Sequence, residues 1–338
     1  MSLGTTPPDS PIRWGILGTG SIASDFAGDL PLLADAEVVA VGSRSQSGAD
    51  AFADRFGIPR RHGSYAALAG DPEVDAVYVA VPHPVHYQGA MTAIRAGRNV
   101  LVEKPFTLNA TQARGLVAAA REAGVFLMEA MWTRFLPHMI EIRDLVAAGV
   151  LGDVRTVTAD LGVGFARDPE SRIFAPELGG GALLDLGVYP VSFASMVLGA
   201  PITITAVSDP AFTGVDAQTS ILLRYASGGH AVLTTTLEAR SAARATIVGT
   251  DARIEIDSMF FRPTSFSLIF PDGTIDRHEH TPIGLGLRYE AAEVGRCIRA
   301  GLQESPAMPL DESVQVMETL DEIRRQIHLV YPQEQTAD

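Results

Sequence analysis

The chain has 338 residues, 46% hydrophobic and 20% charged, with a formal net charge of −14 and one cysteine, Cys297. That length suits two domains, the apolar share excludes a disordered chain, and the acidic balance repels phosphate backbones and so excludes nucleic acid as an expected partner. A single cysteine rules out an internal disulfide and a cysteine metal cluster; no apolar run reads as a membrane span, and Met1 to Pro11 has no apolar signal core, so a cytoplasmic protein without a membrane partner is expected.

Arg13–Leu17 is a short apolar strand that runs into Gly18-Thr19-Gly20-Ser21-Ile22-Ala23, and a helix follows to about Leu30. Gly18 permits a tight turn, Gly20 lets backbone approach a pyrophosphate, and Ala23 allows close helix–sheet packing. Thr19, Ser21 and Ile22 line the same turn, at a helix N-terminus that favours an anion. The spacing alone is weak; its strand-to-helix setting makes it a dinucleotide-site candidate. The second strand, Ala36–Val41, ends at Gly42-Ser43-Arg44. An NAD site usually carries an acid there, whereas a hydroxyl and a guanidinium suit a 2′-phosphate. NADP is therefore expected over NAD; the plainer reading makes Arg44 a solvated loop charge.

Further strands are expected at Asp75–Val81, cut off by Pro82-His83-Pro84, at Asn99–Glu103 before Lys104-Pro105, and at Val125–Met128. Helices alternate with them at Gln46–Phe56, Val85–Arg95 and Ala110–Glu122, which predicts a parallel sheet covered on both faces. A lysine leaving a buried strand at its carboxyl end is aimed where open α/β sheets bind ligands, and Lys104 is the expected chemical centre. After a helix at Pro137–Ala148 the strands lengthen and alternate: Val154–Asp160, Ile202–Ser208, Thr219–Tyr225, His230–Leu237, Ala243–Val248, Arg253–Asp257 and Ser265–Phe270. They predict a large mixed or antiparallel sheet in an α+β region closed by helices at Tyr289–Ala300 and Glu312–His328. The expected domains are 12–130 and 131–331, with the C-terminal helix able to pack back on the first. His278 and His280 alternate on one face but lack a third ligand nearby, so they read as exposed residues, not metal ligands; no metal is expected.

The glycine turn, Pro82-His83-Pro84-Val85-His86, Glu103-Lys104-Pro105 and Gly179-Gly180-Gly181-Ala182-Leu183-Leu184-Asp185-Leu186-Gly187-Val188-Tyr189 together resemble the glucose–fructose oxidoreductase / inositol dehydrogenase / MocA family over about Arg13 to Tyr331. Met128-Glu129-Ala130-Met131-Trp132-Thr133-Arg134-Phe135 and the Asp185/Tyr189 pair are most similar to the branch with dimeric dihydrodiol dehydrogenase and NADP-dependent xylose 1-dehydrogenase. The resemblance implies a Rossmann domain with a doubly wound sheet, a bound nicotinamide, a C-terminal sheet domain that mediates a dimer or tetramer, and a cis peptide before Pro105. The cofactor contacts it implies include Val81, Pro82, His83, His86, Glu103, Lys104, Pro105, Trp132 and Arg134. His86 reads equally as a helix cap. His83 and Tyr189 depart from the broad family, where Asn and His are common, and a phenol as proton acceptor implies an alkaline optimum for oxidation.

Asp185 and Tyr189 are four apart, on one face of a helix. Tyr189 would take the proton of a substrate hydroxyl. An unperturbed tyrosine titrates near ~10, and the Lys104 ammonium and the positive nicotinamide would lower that. Asp185 would orient the substrate or Lys104, and Trp132, Phe165 and Phe261 match aromatic pocket positions of the branch. The duller readings are a surface lysine at 104, a core tyrosine at 189, a helix-start acid at 185 and plain packing for Trp132. The function expected first is NADP-dependent oxidation of a sugar ring hydroxyl, C1 of an aldopyranose. The alternatives are a trans-dihydrodiol dehydrogenase with the same site and an NADP-binding sensor without turnover.

Overall fold

The structure, a computed structural model, describes residues 10–334. Two compact units make up the chain. One runs to Trp132 and takes in Gly284–Val314; the other holds Thr133–Ile283 and the chain from Gln315.

In the first unit β1 (Ile12–Leu17), β2 (Ala36–Gly42), β3 (Arg60–His62), β4 (Ala76–Val79), β5 (Asn99–Glu103) and β6 (Leu127–Ala130) form a sheet in the order β3-β2-β1-β4-β5-β6. Every pairing is parallel. This is the doubly wound order whose direction reverses between β1 and β4, the place where such sheets take ligands. The residues of β4 are buried throughout, as are Val100 to Glu103 of β5. That is why both read as unbroken apolar runs: helices cover both faces. The crossovers are α1 (Ser21–Asp29), α2 (Gln46–Phe56), α3 (Tyr65–Ala69), α4 (His86–Arg95) and α5 (Ala110–Ala123). Ser45, Ser64 and Asn109 cap α2, α3 and α5 with side-chain oxygens, and Gly57 and Gly124 end α2 and α5 in the left-handed conformation, the usual start and stop chemistry of helices.

The edge strand β3 and the short α3 are additions to the expected elements. Arg60-Arg61-His62 carries no apolar signal. The strand is held by Asp71, whose buried carboxylate accepts from Arg60 Nε at 2.5 Å and faces His62 Nε2 at 2.8 Å. Burial alone would raise the pKa of Asp71, but the bonds from Arg60, the Glu73 N–H and His62 bring it down to about 2. A second tertiary clasp closes the unit. Both Asp29 oxygens accept backbone N–H groups, Leu285 on one and Gly286 and Arg288 on the other, at 2.8–3.0 Å. They cap α8 (Leu287–Arg299), which has no side-chain cap of its own, and so return a distant segment to α1.

The second unit begins with α6 (Pro137–Ala147) and carries β7 (Val154–Gly162), β8 (Pro201–Pro210), β9 (Asp216–Tyr225), β10 (His230–Thr236), β11 (Ala245–Gly249), β12 (Arg253–Ile256), β13 (Phe266–Ile269) and β14 (Ile275–His278). Their order is β14-β13-β12-β11-β7-β10-β9-β8. The sheet is mixed: β7 and β10 run parallel, and the other pairs are antiparallel. Period-two alternation buries Ile221, Leu223, Ala231 and Leu233 and leaves Leu222 and Val232 outside, with β7 and β10 packed on α7 (Val188–Leu198). The last helix, α9 (Leu310–Gln326), starts in the first unit and ends in the second.

One expectation is qualified and one is corrected here. Pro176–Leu198 is long and apolar enough to pass for a membrane span, but 83% of its most apolar window is buried within the protein, so its hydropathy is that of a core helix. His278 and His280 are half-buried rather than exposed. His278 Nδ1 lies 2.8 Å and His280 Nε2 2.9 Å from the two oxygens of Glu141, and the His278 ring stacks on Phe266. They tie the edge strand β14, which the sequence pattern misses, to α6. Among the described residues no group of side chains forms a metal site, these histidines included.

Candidate active site

The glycine turn sits between β1 and α1, as expected. Gly18 has φ +115°, and a Cβ there would lie 2.2 Å from the Ala80 carbonyl oxygen, so only glycine fits. At Gly20, the N-cap of α1, a Cβ would meet no atom within 4 Å, and no side chain caps the helix. Exposed N–H groups at an uncapped helix start, with open space before them, fit a dinucleotide pyrophosphate. Thr19 and Ile22 are half-buried beside it and Ser21 is exposed. Ser43 and Arg44 follow the carboxyl end of β2, with Ser43 half-buried and Arg44 exposed. Burial raises the pKa of Tyr65, and the nearby Arg44 charge opposes that shift.

Lys104 leaves β5 half-buried, and its peptide bond to Pro105 is cis, as the resemblance implies. The loop around it is fastened from below. Glu103 accepts from the Tyr78 hydroxyl at 2.5 Å and from the Lys104 N–H at 3.1 Å, and Glu129 accepts from the Phe106 N–H at 3.1 Å. Tyr78 in turn stacks on Phe26 with 4.0 Å between centroids. Glu103 is thus turned into the unit, where it shapes the loop. His86 does not cap α4. It is buried, with Nδ1 2.8 Å from the Pro105 carbonyl and Nε2 2.8 Å from the Val81 carbonyl. His83 and Val81 are buried and Pro82 is half-buried beside them, with the His83 ring edge-on to His86 at 5.5 Å. Below this level lies Glu290 of α8, fully enclosed, with neither oxygen hydrogen-bonded. Burial first, then the carboxylates of Glu103, Asp29 and Glu129, hold its pKa well above the usual range. Trp132 ends the unit as a buried side chain.

In the second unit the run Gly179–Gly181 leads into a π-helical turn, Leu183–Gly187, that continues as α7. Asp185 and Tyr189 lie on this continuous helical path, both buried. The wider π turn replaces the regular α-helix expected from their spacing. Gly181 has φ +117°, and a Cβ there would fall 2.3 Å from Asp216 Oδ1. Asp216 Oδ2 accepts from the Leu183 N–H and the Thr219 hydroxyl, each at 2.8 Å, and the Tyr331 hydroxyl donates to the Gly180 carbonyl at 2.7 Å. These partners fix the start of the helix that carries the candidate pair. Asp185 accepts from Arg172 Nη1 at 2.7 Å. The Tyr189 ring lies 4.8 Å from that of Phe261, whose carbonyl accepts from the Thr133 hydroxyl at 2.9 Å. Phe260 and Phe193 extend the aromatic wall. Phe165 follows β7, half-buried, with its N–H on the Leu237 carbonyl. Arg134 is buried, with its guanidinium on the Ser192 carbonyl at 3.0 Å.

Asp216, Tyr331 and Glu290 were missed as contributors. Asp216 and Tyr331 carry no local signal, because each acts on a glycine run distant in sequence.

Comparison with known proteins agrees with this frame. Residues 12–131 match the oxidoreductase family with an NAD-binding Rossmann fold, and residues 139–255 match the GFO/IDH/MocA C-terminal domain. The chain is 40% identical over 329 residues to trans-1,2-dihydrobenzene-1,2-diol dehydrogenase of Xenopus tropicalis (95% of this chain, 99% of the relative) and 38% identical over 332 residues to that of Homo sapiens (96% and 99%). Among solved structures it resembles aldose-aldose oxidoreductase from Caulobacter crescentus (TM-score 0.85, 26% identity, 94% and 98% covered) and a 3-ketoreductase from Actinomadura kijaniata in complex with NADP and TDP-benzene (TM-score 0.82, 28%, 94% and 98%). With both of its regions matched and relatives aligned along nearly its whole length, the chain belongs to the GFO/IDH/MocA family of NAD(P)-dependent oxidoreductases.

Proposed function

We propose that this protein is an NADP-dependent dehydrogenase that oxidises a ring hydroxyl of a small cyclic diol, with trans-dihydrodiols as the first substrate class. The observation that carries the reading is the buried Asp185/Tyr189 pair beside Phe261, in a chain 40% identical to a trans-dihydrodiol dehydrogenase. An aromatic face suits a flat unsaturated ring. Sugar oxidation at C1, placed first by the sequence, becomes the second reading; the likeness to aldose-aldose oxidoreductase favours it. A sensor without turnover is the reading of another class.

When bound, the nicotinamide supplies the hydride acceptor. The uncapped start of α1 and the Gly18–Ile22 turn would hold its pyrophosphate, with Ser43 and Arg44 on the 2′-phosphate, a charge-assisted contact that an acid at this position would forbid. Val81, Pro82, His83, Pro105, Trp132 and Arg134 are the further cofactor candidates. Tyr189 accepts the hydroxyl proton. Lys104, on the first unit, is the second catalytic candidate, with a charge suited to a substrate oxygen. Asp185 orients the second hydroxyl, and Trp132, Phe165 and Phe261 receive the ring.

The domains proposed are 12–130 for the dinucleotide, with 284–314 in the same compact unit, and the rest of 131–331 for substrate and assembly. The outer face of β8, β9 and β10 presents Val207, Leu222 and Val232 among threonines, which supports a homo-oligomer, dimer or tetramer, built through this sheet. A cytoplasmic location is proposed with it.

Steady-state assays with trans-1,2-dihydrobenzene-1,2-diol, xylose and glucose, each with NADP and NAD, test the reading by absorbance of the reduced nicotinamide. Fastest NADP-linked turnover of the diol supports it. Faster sugar oxidation moves the assignment to the second reading, preference for NAD removes the Arg44 assignment, and tight NADP binding without turnover of any substrate leaves the sensor.

A further inference from the structure

We propose that His86 is a doubly protonated imidazolium that latches the loop after β4 to the loop after β5, and so positions Lys104; the functional part rests on the role given to Lys104 above. Both ring nitrogens face carbonyl oxygens at 2.8 Å, Nδ1 that of Pro105 and Nε2 that of Val81. A carbonyl oxygen can only accept, and a neutral imidazole has one N–H and one lone pair. In either neutral tautomer, one contact would set lone pair against lone pair at hydrogen-bond distance. His86 is 0% exposed, so bulk water offers no relief. With both protons present, both contacts become donor bonds and two buried carbonyl groups are satisfied.

Burial opposes the charge, and so does the position of His86 as the first residue of α4, where the helix end is itself positive. Hydrogen bonds made by the charged form favour it, and here there are two, each charge-assisted. The titratable groups on the flanking elements are His83, edge-on at 5.5 Å, the neighbouring Tyr87, and Glu103 and Lys104 directly before Pro105. The mechanical consequence is specific. Glu103 holds the Lys104 N–H, and His86 holds the carbonyl of the next residue. The backbone on both sides of the lysine is therefore fixed, and on one side it is tied to the strand end that leads to Pro82 and His83.

Nitrogen-15 spectra of the eight histidine rings in the full-length protein at pH 8, without cofactor, test the latch. The expected result is one ring with both nitrogens of the protonated type and two slowly exchanging N–H protons, absent from His86→Phe. The variant should also lose at least tenfold in kcat. A ring at His86 with one protonated nitrogen at pH 8 overturns the latch, even if Lys104→Ala abolishes turnover. Conversely, full turnover in Lys104→Ala refutes the role of Lys104 while the ring spectrum still decides the charge. If His86→Phe does not fold, the wild-type spectrum is sufficient, because a buried ring with two persistent protons is distinguished from neutral histidines by its own couplings.

Discussion

Arg172 donates to Asp185 at 2.7 Å, and the two side chains differ sharply in exposure, 51% for the guanidinium and 5% for the carboxylate. The pair is open on one side and closed on the other. Because the arginine is solvated, the contact adds within about 1 kcal/mol to stability. Its effect is on the carboxylate, which it holds in one rotamer beside the helix that bears Tyr189. Arg172→Ala should leave the denaturation midpoint almost unchanged and lower kcat/KM about tenfold, the equivalent of one orienting hydrogen bond. Unfolding curves and steady-state kinetics on the same preparation check this. Unchanged kinetics would mean that Asp185 needs no partner.

Lys104 and Tyr189 are both proposed as catalytic residues of one reaction, and that makes a claim about coupling. Tyr189→Phe should reduce kcat by about 10²–10⁴ while NADP affinity stays near the wild-type value. Lys104→Ala should cost a comparable factor. Groups that work as a unit are not additive, so the double variant should lose little more than the worse single one. Fully additive losses would separate the two residues into independent roles and leave the proton acceptor unassigned.

How far the fold and site were legible depends on where each signal is local. The buried strands β4 and β5 announce themselves because apolar residues fill every position of a sheet covered on both faces. The turn at Gly18 is legible because its strand, turn and helix are contiguous. By contrast, β3 is built from Arg60, Arg61 and His62 and depends on Asp71, which a periodicity search does not pair with it. Asp29 reads as the last residue of one helix, yet its work is to cap another. His278 and His280 look solvated on a short edge strand until Glu141 is placed between them. Asp216 is the sharpest case: as an acid opening a strand it suggests a turn, and only the fold sets it against the Gly181 backbone.

Arg44 lies exposed where β2 ends, with its charge free to meet a ligand. A charge-assisted bond to phosphate contributes about 1.5–3 kcal/mol. Arg44→Ala should therefore raise the KM for NADP by about 10- to 100-fold. NAD has no 2′-phosphate, so its KM should scarcely move. Parallel measurements with the two nucleotides decide the matter, since equal losses with both would place Arg44 on a part of the cofactor that they share.

Asp216 predicts a pH dependence that a single substitution should remove. Burial raises its pKa to about 6, against the opposing effect of bonds from Thr219 and the Leu183 N–H. The folded-state value lies above the unfolded one. The contribution to stability is therefore fully present below about 4 and is lost as pH rises through about 6. Both bonds fall on Oδ2, and Oδ1 has no hydrogen-bond partner. An asparagine with its oxygen in the place of Oδ2 keeps both bonds and carries no charge into the interior. Asp216→Asn should match or exceed the wild type in stability at pH 8 and fall behind it at pH 4.5, a swing on the order of 2 kcal/mol between those two pH values. Urea midpoints across that range, taken as the difference between variant and wild type, cancel the titration of all other groups. A difference that stays constant with pH would mean that Asp216 keeps the same protonation state throughout. It would also remove this carboxyl as the group that makes the seat of the Gly179–Gly181 run lose stability as pH rises.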